Sequence, residues 1–78
     1  MPRFIFEYVD SAEAVPETAM VALKSREDAR RQALHGLTEM AHEALPTGDT
    51  RDFVATVQDE IGRPLFRAVL SLRAEWLR

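Results

Sequence analysis

The chain contains no cysteine, so disulfide stapling and thiolate chemistry are excluded, and zinc would have to be held by histidines and carboxylates alone. Long apolar runs are missing too. Met1-Pro2-Arg3-Phe4-Ile5-Phe6 is followed too soon by Glu7 and Asp10 to form a signal-peptide core, and no stretch approaches the length needed to cross a bilayer. Gly36, Gly48 and Gly62 are the only glycines and each is isolated, which leaves no glycine-rich phosphate loop. Excess positive charge is also lacking. Ten Lys and Arg against thirteen Asp and Glu give a net charge of -3, with no bulk attraction for nucleic acid or anionic lipid. These absences predict a soluble, cytoplasmic protein with no membrane association. At 78 residues, residues 1–78 read as one domain near the lower limit for a single unstapled core, and a partner surface is a natural source of extra stability.

The strongest positive signal is one helix-patterned segment from Ser25 to Pro46. Ser25 is a capping residue with Asp28 three positions on, close to a capping box, while Pro46 and Gly48 end the run. Ala29, Ala33, Leu37, Met40, Ala41, Ala44 and Leu45 recur at steps of three and four and form one apolar face. Arg31, His35, Glu39 and His42 fall opposite. The alanine-rich face permits close approach to a sheet, with Gly36 at its margin.

Strand patterns flank this helix. Arg3 to Val9 alternates, with Phe4, Phe6 and Tyr8 on one side and Ile5, Glu7 and Val9 on the other. Glu7 points to the aromatic side as the buried one. Asp10 to Pro16 is turn-like, and Thr18 to Leu23 forms a shorter second arm with Met20, Val21 and Leu23 as its apolar content. Beyond the helix, Phe53, Ala55 and Val57 alternate with Val54, Thr56 and Gln58. Asp59 to Arg63 then supplies a turn in which Gly62 can take a positive φ. Pro64 is tolerated at a strand start. The returning arm sets Phe66, Ala68, Leu70 and Leu72 against Leu65, Arg67, Val69, Ser71 and Arg73.

The expected architecture is therefore α+β, a hairpin-helix-hairpin (ββαββ) with a four-stranded, mainly antiparallel sheet and one long helix packed on one face. One helix covers one face only. Ile5, Val9, Val54, Leu65 and Val69 are then left on the far side, a patch of the kind that marks a contact surface, and a homodimer built through it or through an adjacent edge strand is expected. Trp76, the only tryptophan, lies beside Leu77. It either closes its own core, the favoured reading, or anchors a partner as a sixth member of the interface.

His35, Glu39 and His42 share a helical stripe, but a spacing of seven sets the histidines about 10 Å apart along the axis, too far for one ion without a Glu39 bridge or a second subunit. A solvated polar face is the simpler reading. Arg63, Arg67 and Arg73 offer a basic stripe for nucleic acid, yet the aromatics that would stack bases share the buried parity. The hydroxyls of Ser11, Ser25, Ser71, Thr38 and Thr56 have no histidine placed by a nucleophile motif. No catalytic, cofactor or metal residues are assigned, and catalysis is disfavoured.

Met1-Pro2-Arg3-Phe4-Ile5-Phe6, Asp10, Val21-Ala22-Leu23, Ala29-Arg30-Arg31-Gln32-Ala33-Leu34 and Val57-Gln58-Asp59-Glu60-Ile61-Gly62-Arg63-Pro64-Leu65 together resemble a family of short bacterial proteins of unknown function. Its members open Met-Pro-Arg-Tyr-Phe-Phe and carry a central Glu/Ala/Arg/Leu helix before an Asp-Glu-x-Gly-Arg turn. The chain departs from that pattern at Ser11, where Gly is usual, and at Glu17-Thr18-Ala19. The resemblance implies a stand-alone domain and brings no catalytic residues. The combined reading is a non-enzymatic protein-protein interaction module acting as a homodimer with an unknown protein partner. Alternatives are a nucleic-acid-binding or antitoxin-like regulator using Arg63, Arg67 and Arg73, and a metal-dependent activity on the helix.

Overall fold

The computed structural model describes residues 1–13, 15–44 and 48–78. Its elements run β1 (Arg3–Asp10), β2 (Glu17–Ala22), α1 (Arg26–Ala44), β3 (Thr50–Asp59) and β4 (Pro64–Arg73). The strands form one antiparallel sheet in the order β2-β1-β3-β4, so the two hairpins meet through their first strands while α1 bridges between them. The expected ββαββ architecture is what the chain adopts, and the helix packs on one face.

Local chemistry sets the element ends. Ser25 Oγ accepts the Asp28 N–H at 3.2 Å, capping α1. Asp28 does not complete a capping box; its Oδ1 instead accepts from Arg31 Nη1 at 3.0 Å. Leu45 and Pro46, expected at the end of the helix, lie outside the described residues. At the β3–β4 turn Gly62 adopts φ +89°, a backbone region that side chains disfavour.

The core lies between α1 and the sheet. Alternation sends Phe4 and Phe6 of β1 and Phe53, Ala55 and Val57 of β3 inward, where they meet Ala29, Ala33, Leu37 and Ala41 of α1. Burying each large side chain, such as Phe6 or Phe53, contributes about 1.5–3 kcal/mol relative to leaving it exposed. The small alanines let the helix settle close to β3, its main packing partner. Gly36 completes this fit: a Cβ there would stand 2.6 Å from the Tyr8 hydroxyl oxygen, so the ring of Tyr8 occupies the space a side chain would need. Among the described residues, no helix is long and apolar enough to cross a membrane.

Two expectations are corrected. Register shifts between Val57 and Gln58, pairing Gln58 with Pro64, and this bulge breaks the alternation in β4. Leu65 therefore packs against the core cluster instead of joining Ile5, Val9, Val54 and Val69 on the far face. Trp76 does not close the core. It is 92% exposed, and Leu77 is 86% exposed, because the chain leaves the sheet after Arg73.

Candidate protein-contact face

The sheet face away from α1 is assembled by register. Val9 pairs with Val54 and Val54 with Val69, which draws three valines into a straight row across β1, β3 and β4. One row toward the β3–β4 turn lie Thr18, Glu7, Thr56 and Arg67. One row the other way lie Asp52 and Ser71, with Ser11 tied to the Asp52 backbone by N–H to O at 2.9 Å and by the Asp52 N–H to Ser11 Oγ at 3.0 Å. Ile5 and Met20 pair at the far end of β1 and β2. Val69 is 58% exposed and Met20 53%, whereas Ile5, Val9 and Val54 are half-buried by their neighbours.

Among the described residues, no ion pair is formed by Glu7, Asp52, Arg67 or Arg73. Asp52 Oδ1 is shielded from solvent and has no hydrogen-bond partner, a state that is costly for a carboxylate.

The expected arginine stripe is not brought together. Arg63 turns into the β3–β4 turn, where its Nε lies 2.8 Å from Asp59 Oδ2. Asp59 also accepts the N–H groups of Arg63 and Ile61. The backbone hydrogen bond from Arg63, helped by the guanidinium, holds the Asp59 carboxyl below its ordinary pKa. Arg67 and Arg73 lie six positions apart on β4, roughly 20 Å at about 3.3 Å per residue. No aromatic side chain shares their face, so no stacking platform accompanies them. On the helix, His35 Nε2 sits 2.8 Å from Glu39 Oε1 on the exposed surface. The described residues hold no group of three side chains placed to bind a metal ion.

The other face hides a polar device that sequence reasoning missed. Asp10 and Arg51 are both buried, and Arg51 Nε and Nη2 donate to Asp10 Oδ1 and Oδ2 at 2.8 and 2.7 Å. The Ala12 N–H adds a 2.9 Å bond to Asp10 Oδ1. The Arg51 side chain, then burial acting against it, governs the Asp10 carboxyl, whose pKa falls below its ordinary value. A signal existed: Asp10 continues the parity of Phe4 and Phe6, and Arg51 that of Phe53 and Val57, so each had to face inward. Beside this pair an open cleft of about 730 Å³ separates α1 from the first hairpin, with Tyr8, Glu17, Glu39 and Glu43 on its walls. Partial burial, reinforced by the charges of Glu17 and Glu39, raises the Tyr8 pKa.

Comparison with known proteins adds a family and no activity. Residues 3–71 match the family described as domain of unknown function DUF6894, and the chain belongs to it. No curated protein and no solved structure matches the chain.

Proposed function

We propose that this DUF6894 protein is a cytoplasmic, non-enzymatic module that acts through protein contacts, and that the surface it uses is the open sheet face, met by a second copy of itself. One observation carries this reading: a row of three valines crosses three strands on a face that no described element covers. An antiparallel sheet with one wet face ordinarily places polar side chains there. Here the centre is aliphatic, and its flanks carry both signs of charge, Glu7 and Asp52 against Arg67 and Arg73, none of them in an ion pair among the described residues. A surface of mixed sign around an apolar centre suits an isologous contact, in which the same patch must complement itself.

The area is adequate for a modest dimer. The four strands are eight, six, ten and ten residues long. At about 3.3 Å by 4.8 Å per residue they present roughly 500 Å² of sheet plane per copy, toward the small end of specific interfaces. Sedimentation equilibrium at up to about 100 μM tests it, a range suited to interfaces of this size. The expected mass approaches twice 8.9 kDa, and Val54→Lys returns it to that of one chain without altering the circular dichroism spectrum. A wild-type protein that remains monomeric throughout refutes the reading.

A further inference from the structure

We infer that the two copies meet about a two-fold axis running along the Val9–Val54–Val69 row, perpendicular to the strands, so that Arg67 of each copy reaches Asp52 of the partner subunit. The inference rests on the open-face reading above and specifies its partner geometry.

The sheet rows decide between two orientations. An axis parallel to the strands through β3 sets Arg67 over Glu7 of the partner subunit but stacks Asp52 on Asp52 of the partner subunit, because residues of β3 then face their own mates. Two unpaired carboxylates would be forced together. An axis along the valine row instead exchanges the two flanking rows. Asp52 comes to lie over Thr56 of the partner subunit, one strand away from Arg67 of the partner subunit, and Glu7 comes to lie over Ser11 of the partner subunit. Each valine meets its own mate.

The distances suit the contact. With sheets about 10 Å apart and strands about 4.8 Å apart, the Cα atoms of Arg67 and the partner's Asp52 are roughly 11 Å apart. An extended arginine, an aspartate and one charge-assisted hydrogen bond span that gap. The pair supplies a cation to the Asp52 carboxylate, which forms no ion pair among the described residues.

A second observation favours the same axis. Exposed apolar side chains cluster at opposite ends of β4, Ile61 at 76% in the turn before it and Trp76 and Leu77 after it. Reversing strand direction between copies sets the segment that carries Trp76 at the end of the partner's sheet where Ile61 stands. The parallel axis sets each end beside the like end of the partner and leaves Trp76 away from Ile61.

Charge exchange tests the assignment, read by sedimentation and with circular dichroism as the control on folding. Arg67→Glu and Asp52→Arg each weaken association tenfold or more, and the combination Arg67→Glu with Asp52→Arg restores it. Rescue of Arg67→Glu by Glu7→Arg instead, or association unchanged by Arg67→Glu, overturns the axis while the open-face dimer stands. A monomeric wild type removes both. Because the chain has no cysteine, a single introduced thiol gives an independent measurement that does not depend on the charged variants folding. Val69→Cys brings the Cα atoms of position 69 to about 10 Å and yields a covalent dimer with a short bifunctional thiol reagent, whereas Arg73→Cys, nearly 30 Å from its mate, does not. Cross-linking through position 73 and none through position 69 overturns the inference.

Discussion

Gly36→Ala is the substitution whose sign is most revealing. In an isolated helix it would stabilise by about 0.5–1 kcal/mol, since alanine is the better helix former. Here the new Cβ would stand 2.6 Å from the Tyr8 hydroxyl oxygen, 2.8 Å from Cζ and 3.0 Å from Cε1. The tip of a tyrosine is movable, but this ring is half-buried and stacked beside Phe6, with centroids 6.4 Å apart and planes at 11°. Displacing it forces a local overpacking penalty of about 1–3 kcal/mol. The overpacking term wins, and Gly36→Ala destabilises by about 1 kcal/mol, lowering the thermal midpoint by roughly 4–8 °C for a domain of this size. The assay is urea and thermal unfolding followed by far-ultraviolet circular dichroism at one fixed protein concentration. Tryptophan fluorescence is unsuitable, because Trp76 is exposed in the folded chain. In a Tyr8→Leu background the obstacle is gone and the same substitution should stabilise. If Gly36→Ala stabilises the wild type, the ring yields freely and close packing of α1 on β1 is not what the glycine serves.

Further outcomes follow from other contacts. Ser25→Ala removes the acceptor for the Asp28 N–H and should cost about 1 kcal/mol of stability, measurable by urea titration; Ser25→Asp should retain most of it. The Asp10 carboxyl has a lower pKa folded than unfolded, so its contribution is fully present above the unfolded value and is lost as pH falls through the folded one. Stability should therefore decline below about pH 4, and Asp10→Asn should be less stable near neutrality with a flatter acid limb, seen by thermal melts across that range.

The candidate face was half legible in the sequence. Alternation in β1 and β3 placed Ile5, Val9 and Val54 opposite the buried aromatics, and the structure agrees. Leu65 departs from simple alternation because a bulge shifts parity without leaving a local mark beyond the neighbouring Gly62 and Pro64. Arg63 stands close to Arg67 and Arg73 in sequence, but the turn draws it to Asp59. Asp52 carries no such signal, since nothing in an isolated strand shows that an aspartate will form no ion pair on the face it joins.

What residues three or four apart can decide, the sequence decided: the helix with its Ser25 cap, the β3–β4 turn around Gly62, the strand periodicities and the order ββαββ. Those features depend on backbone sterics and side-chain spacing within one element. The tertiary structure alone decided that β1 and β3 are the central neighbours, that Val9, Val54 and Val69 fall in one row, and that Asp10 grips Arg51 across 41 positions. Register and burial arise only when separate segments share one core, because a strand's period of two says which residues share a face but not which residue on another strand will stand opposite.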